Sequence, residues 1–391
     1  MNSNDQLSTK PNLIHPSPIR KIVSKTEVAK RAGIPIADFS VGRPDFDTPV
    51  HIKKAAIEAM EKGLVHYTAS AGIIELREAV CQRMIIENKV SYQPDQVLVT
   101  AGATEAIYIT LQTILNPGDE ILAPEPMFVY YSGGAILAGA ECTGIPLTPE
   151  DNFKLTADKL LKYISPRTKA LILTSPHNPT GQVYKESDLV KIAELAVKHN
   201  FYIITDDIYN RLIYDGLAYF NIVQVPGMAE RTIIIQSFSK MYAMDGWRIG
   251  YLVAPEPIVS RALKIHQHIM SCPNTFVQWG AVAALNESQT CVEQMRIEFD
   301  RRRRLMMEFL DNFGLPYEPP QGAFYIFPSI KKYGMASETF CEFIFDEAQV
   351  AIVPGNAFGK AGEGFVRFSY ATSYEEIEKG MIKFGKALEK L

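Results

Sequence analysis

The segment Ser237-Phe238-Ser239-Lys240-Met241-Tyr242-Ala243-Met244-Asp245-Gly246-Trp247-Arg248-Ile249-Gly250 sets a lysine among apolar and aromatic neighbours, directly after the apolar run Thr232–Gln236. A lysine amine attacks a carbonyl only when it is unprotonated, and removal from water disfavours its ammonium form. Eight residues on, past a Gly-Trp turn, Arg248 offers a planar fork suited to an anion such as phosphate. An isolated lysine is usually a solvated surface charge. What singles out Lys240 is the string around it.

Other segments carry chemistry of their own. Ala101-Gly102-Ala103-Thr104-Glu105-Ala106 follows the apolar run Val97–Thr100 and opens the periodic segment Ile107–Leu115, so it places free N–H groups and a hydroxyl at a helix start. Such a turn takes phosphate, or is an ordinary helix cap. Thr205-Asp206-Asp207-Ile208-Tyr209 ends an apolar run, and a carboxylate there requires a cationic partner if it is buried. Ser175-Pro176-His177-Asn178-Pro179-Thr180-Gly181 is a rigid turn at the end of Ala170–Thr174, either a ligand contact or a structural Asn-Pro turn, with His177 structural. Arg367 stands among apolar residues in Gly364–Ser369, which calls for an anionic ligand or an internal salt bridge. Phe128, by itself, reads as core.

These residues must be positioned by their elements. Between about Pro49 and Ser288, amphipathic helices alternate with short apolar strands at Gln96–Thr100, Glu120–Ala123, Ala170–Thr174, Tyr202–Thr205, Thr232–Gln236 and Ile249–Val253. That alternation predicts a mostly parallel sheet covered by helices. A charged segment without internal Gly or Pro, Val292–Asn312, predicts a long bridging helix. Strands at Ala323–Phe327, Val350–Val353 and Val366–Ser369, with helices near Ser337–Glu347 and Tyr374–Lys390, predict a smaller α+β unit. The domains expected are an N-terminal arm plus part of the small domain (1–48), a large domain (49–288) and a small C-terminal domain (289–391). The first dozen residues are expected to be mobile, and Ile14–Pro18 to run as an extended arm.

Length and composition fit this picture, because 391 residues exceed what one hydrophobic core usually serves. Forty basic against forty-four acidic residues, a net charge of -4, argue against a general affinity for nucleic acid or anionic membrane. The five cysteines are scattered without a C-x-x-C pair, so neither a disulfide framework nor a metal site is expected. The polar start and the shortness of every apolar run predict a cytoplasmic protein with no membrane span.

The S-x-S-K…G-W-R string, with the other segments in the same chain order, resembles the class I and II aminotransferases of pyridoxal-phosphate fold type I, and nearest the prokaryotic aspartate and aromatic branch. The resemblance runs from Ile14 to the terminal helix. It implies an α/β fold type I architecture, pyridoxal 5'-phosphate as cofactor, and transfer of the amino group of an L-amino acid to a 2-oxo acid such as 2-oxoglutarate. It casts Lys240 as the Schiff-base lysine and implies that Gly102, Ala103, Thr104, Ser237 and Arg248 hold the cofactor, chiefly at its phosphate. Phe128 would stack on the pyridine, Asn178 and Tyr209 would reach the phenolic oxygen, and Asp206 rather than Asp207 would keep the ring nitrogen protonated. Arg367, with Asn178 and the backbone of Gly42, would take the substrate α-carboxylate. Tyr67 would reach the phosphate of a neighbouring subunit, making the unit a homodimer; Asn274 and Thr275 match a segment near the partner's site more weakly.

One departure stands out: the pattern carries Glu where this chain has Arg43, a cation that either alters the substrate site or faces solvent. Two rival functions follow from the same residues: another reaction on the cofactor, such as elimination or decarboxylation, and a non-catalytic cofactor-binding sensor. The absence of a basic helix-turn-helix extension weighs against the sensor. Aspartate, glutamate, aromatic and alanine-type amino donors are all compatible with these residues.

Overall fold

The computed structural model describes residues 7–14 and 18–391. Most of the expected arm, at residues 15–17, and the first six residues of the expected mobile stretch lie outside the described residues. Within them, Lys10–Leu13 forms a single 3-10 turn, and Pro18 opens a helix to Arg31 that was not expected from the sequence. Proline at a first helical position is favourable, since its missing N–H is unpaired there anyway. This helix lies against the helix Ser337–Ala348, with exposed ion pairs from Lys21 to Glu338 at 3.0 Å and from Lys25 to Asp346 at 3.1 Å.

The chain folds as α/β around a seven-stranded sheet. Its strands lie in the order Val97–Thr100, Gly250–Val253, Thr232–Ser237, Tyr202–Asp206, Thr168–Thr174, Glu120–Glu125, Glu141–Pro146. Only Gly250–Val253 runs against its neighbours. Val97–Thr100, Thr232–Ser237 and Gly250–Val253 are buried at every position, which is why they read as continuous apolar runs without alternation. The strand Glu141–Pro146 is additional to those expected. As an edge strand it carries Gly144 and Pro146 and leaves both ends exposed, so its apolar signal is weak.

The C-terminal region is built around the helix Thr290–Asn312, whose 23 residues span ~35 Å at 1.5 Å per residue. Its apolar side joins Phe324, Phe340, Phe368 and Phe384 in one core cluster. A three-stranded sheet places Val366–Ser369 between Val353–Pro354 and Tyr325–Ile326. The expected strand Val350–Val353 is divided at Ile352, because Val350–Ala351 pairs instead with Ala37–Asp38. The expected strand Ala323–Phe327 shrinks to Tyr325–Ile326, with Ala323 in a left-handed conformation at φ 58°. Tyr374–Leu388 closes the chain as a helix, capped by Ser373 accepting from the Glu376 N–H at 3.2 Å. Among the described residues no helix is long and apolar enough to cross a membrane.

Gly250 shows how closely sheet and loop approach. A β-carbon there would sit 2.7 Å from the Gln236 carbonyl oxygen and 2.9 Å from the Gly102 backbone. We therefore expect Gly250→Ala to displace the Gly102 turn and to destabilise the fold by about 1–3 kcal/mol, the range for overpacking. Urea unfolding measures this, and an unchanged midpoint would show that the gap is not tight.

Candidate active site

Since all strands of the seven-stranded sheet but one point the same way, the carboxyl ends of six open at one side, beside the amino end of Gly250–Val253. The residues just past these ends are the ones singled out by their chemistry. Ala103, Thr104, Phe128, Asn178, Asp206, Tyr209, Ser237, Lys240 and Arg248 line one cavity of about 550 Å³. Gly42 and Arg367, brought in from the other region, line it too, as do Arg20 and Arg43. Gly102 sits directly behind it as the helix cap. Tyr67 is the exception: 90% exposed, it does not reach its own chain's cavity. Asn274 and Thr275 also lie apart from it, Asn274 capping the helix Thr275–Asn286 and the Thr275 hydroxyl donating to the His66 carbonyl at 2.6 Å.

Lys240 lies on the short helix Phe238–Met241, which is capped by Ser237 Oγ accepting from the Ser239 N–H at 3.1 Å. Its Nζ donates to the Gly42 carbonyl oxygen at 2.6 Å. Loss of solvent brings its pKa down to about 8; Arg248 and Arg367 push the same way, while Asp245 and Asp206 oppose. An amine in this state reaches its neutral, nucleophilic form near physiological pH, as a surface lysine does not.

Asp206 ends its strand only 2% exposed. Its Oδ2 accepts from the Tyr131 hydroxyl at 2.6 Å, and Tyr131 in turn lies 2.8 Å from Thr174 Oγ1. The other oxygen, Oδ1, is buried with no partner. Burial raises the carboxyl to about 6, opposed by the Tyr131 bond, the Ile208 backbone and Lys240. Asp207 is equally buried but binds Asn221 and does not line the cavity.

The anion end is built from backbone and Arg248. Gly102 adopts φ 88°, and a β-carbon there would meet Arg248 Nη2 at 2.9 Å. Arg248 donates from Nη2 to the Ala101 carbonyl at 3.2 Å and from Nη1 to the Asp245 carbonyl at 2.9 Å. The helix Ala103–Ile114 thus begins beside a guanidinium, with its first N–H groups free for an anion.

At the opposite end, Arg367 is 2% exposed. It donates to Asn178 Oδ1 at 3.2 Å and to the Ser40 carbonyl at 2.6 Å, while its Nε is buried without a partner. Burial lowers its pKa, and no carboxylate offsets that effect. The internal salt bridge considered from the sequence is therefore not what the described residues form. The guanidinium carbon lies 4.4 Å from the Tyr325 ring centre, and the Tyr325 hydroxyl is 2.8 Å from that of Tyr209. Only glycine fits at position 42, because a β-carbon would collide with the Tyr325 hydroxyl. His177 is buried, 2.8 Å from Thr180 Oγ1, and burial pushes its pKa down to about 4, in keeping with a structural residue.

Tyr131, Tyr325 and Ser40 were not identified from the sequence. Tyr131 follows Phe128 by three residues and looks like another core aromatic, while Ser40 acts through its carbonyl, which no side-chain pattern reveals.

As a set, the groups fit a phosphorylated pyridine aldehyde. The unpartnered Asp206 oxygen suits a protonated ring nitrogen, the Gly102 turn with Arg248 suits the phosphate, and the Lys240 amine suits the aldehyde.

Residues 34–383 match the family model "Aminotransferase class I and II". The chain is 44% identical over 386 residues to aromatic-amino-acid aminotransferase 2 of Thermococcus litoralis, covering 98% of each. It is also 44% identical over 385 residues to an aspartate aminotransferase of Pyrococcus abyssi, again covering 98% of each. The aspartate aminotransferase of Thermus thermophilus, solved with maleate, superposes with a TM-score of 0.94 at 36% identity, covering 97% of this chain and 99% of that one.

The elevated Asp206 value has a definite sign. Below the unfolded value of 3.8 the carboxyl is protonated in both states, and its burial then costs little. As pH rises through about 6 the folded state must hold a buried carboxylate, and that share of stability is lost. In cofactor-free protein the parent should therefore lose stability relative to Asp206→Asn between pH 4 and pH 8, by up to about 3 kcal/mol. Chemical denaturation at the two pH values checks this, and a pH-independent difference would contradict the shift.

Proposed function

Because the chain belongs to the class I and II aminotransferases and is itself an aminotransferase, we propose that it works with pyridoxal 5'-phosphate held at Lys240. The observation that carries this is the buried Asp206 oxygen left without a donor in the same cavity as an amine whose pKa lies near 8. When bound, pyridoxal phosphate supplies an aldehyde for the amino group and an electron-accepting ring.

The chain's own residues do the rest. Gly102, Ala103, Thr104, Ser237 and Arg248 hold the phosphate, and Phe128 packs on the ring. Asp206, supported by Tyr131, keeps the ring nitrogen protonated, and Asn178 and Tyr209 serve the phenolic oxygen. Arg367, Asn178 and the Gly42 backbone grip the substrate α-carboxylate, which relieves an otherwise uncompensated buried cation. That grip turns the Cα–H bond toward Lys240. The Lys240 amine takes the Cα proton as general base and returns it as general acid, a role that suits a group titrating near the working pH.

The exposed Tyr67 supports a homodimer in which each subunit completes its neighbour's phosphate site. The same proposal includes a cytoplasmic location, a role in amino-acid metabolism and biosynthesis, and the division into segments 1–48, 49–288 and 289–391. Reduction of the loaded protein with borohydride should fix a pyridoxyl group on Lys240, identified by peptide mass. Lys240→Ala should show neither the label nor turnover, and an active Lys240→Ala enzyme would overturn the proposal.

For the donor, we favour aspartate, an aromatic amino acid or a similar one, with 2-oxoglutarate as acceptor, in line with the names of the relatives. Arg43 is exposed on the cavity wall next to Gly42, placed to meet a second substrate carboxylate. Arg43→Gln should lower kcat/KM for aspartate roughly tenfold, about one charge-assisted hydrogen bond, and leave phenylalanine unaffected. Equal effects on both donors would remove Arg43 from substrate selection.

A further inference from the structure

Outside the cavity, one buried ionisable pair has no part in the proposed chemistry yet bears on its anion end. His266, on the helix Glu256–Ile269, is fully buried. Its Nδ1 lies 3.0 Å from Glu105 Oε1, so Nδ1–H donates to the carboxylate, and its Nε2 is buried without a partner. Glu105 stands in the first turn of the helix Ala103–Ile114, and its second oxygen accepts from the Ala101 N–H.

Ala101 is the residue that enters the phosphate turn. Its N–H is taken by Glu105 and its carbonyl by Arg248 at 3.2 Å, while the next carbonyl, that of Gly102, accepts from Thr100 Oγ1 at 3.1 Å. Both faces of this peptide segment are therefore pinned, and the torsion angles of the turn set the direction of the free N–H groups at Ala103 and Thr104. A free carboxylate in a first helical turn would lie close enough to an incoming phosphate to repel it. Bound through Oε1 to His266 of the neighbouring helix and through Oε2 to the Ala101 N–H, Glu105 instead has both oxygens occupied.

We propose that His266 is a positioning residue for the anion cradle: it holds Glu105 against the Ala101 N–H and thereby aims the Gly102 turn at the phosphate. This rests on the assignment of that turn to the cofactor phosphate. A merely structural histidine would support the whole cavity evenly, whereas a positioning histidine acts on the phosphate end alone. Comparing pyridoxal phosphate with pyridoxal, which lacks only the phosphate, separates the two roles.

The test titrates cofactor-free full-length protein with each compound and takes the ratio of the two Kd values as the phosphate preference. His266→Leu and Glu105→Gln should each cut that preference roughly tenfold, the scale of one hydrogen bond to a charged group, with pyridoxal affinity little changed. His266→Asn, which keeps an amide donor near the Nδ1 position, should restore much of it. Arg248→Gln serves as the control for the underlying assignment. If it leaves the preference intact, the turn is not the phosphate site and the proposal falls with it. If Arg248→Gln lowers the preference but Glu105→Gln and His266→Leu do not, or weaken both compounds equally, only the positioning role is overturned. Should His266→Leu fail to fold, Glu105→Gln, on a less buried side chain, decides the matter by the same ratio.

Discussion

Three ionisable groups are held out of water in one cavity without the partners that ordinarily accompany them, and much of the surrounding structure follows from that. Arg367 meets carbonyl oxygens, one Asp206 oxygen meets nothing, and Lys240 meets the Gly42 carbonyl. Each arrangement is unfavourable by itself. Burial disfavours the charged form of each, raising the carboxyl to about 6 and bringing the amine down to about 8. The ligands of the proposed function, a cationic ring nitrogen and a carboxylate anion, would supply the counter-charges that Asp206 and Arg367 lack. Stability given up in the fold would then be recovered on binding.

Holding such groups apart demands a scaffold that cannot relax around them. Strands buried along nearly their whole length supply it, because their ends are fixed by the ladder and cannot drift to pair Asp206 with Arg367. Close approach is needed as well, and it explains the glycines at 42, 102 and 250. At each, a β-carbon would strike the Tyr325 hydroxyl, the Arg248 guanidinium or the backbone of a neighbouring segment.

The large sheet was legible because parallel strands buried on both faces leave near-continuous apolar runs, as at 170–173 and in Thr232–Ser237. Several site residues were legible for a related reason: Gly102, Asn178, Asp206 and Lys240 fall at or just past a strand end, where the chain must turn, and each is charged, amide-bearing or glycine, while Arg367 is a lone cation within an apolar strand. The elements that escaped depend on tertiary contact. Val350–Val353 is one apolar run, yet it serves two different partners and breaks between them. Tyr131 and Tyr325 resemble the many core aromatics around them, and only the positions of Asp206 and Tyr209 in space give their hydroxyls a role. A carbonyl acceptor such as Ser40 leaves no trace in residue type at all.

The same aromatic hydroxyls lie between the two ends of the cavity. Asn178 follows a strand of the large sheet and binds Arg367, which lies on a strand beside Tyr325; the Tyr325 hydroxyl meets Tyr209, three residues beyond Asp206. A carboxylate arriving at Arg367 competes for the guanidinium with Asn178 and Ser40, and the charge it brings acts on Tyr325 and Tyr209 across a low-dielectric interior. Arg367 and Asp206 thus belong to separate hydrogen-bonded groups, Arg367 with Asn178 and Ser40, Asp206 with Tyr131 and Thr174, and the Tyr209–Tyr325 pair lies between them, in ring contact with the Arg367 guanidinium. In the proposed reaction a carboxylate at Arg367 would therefore act on Tyr209, and on the neighbourhood of Asp206, through charge alone, with no movement of the sheet that carries them.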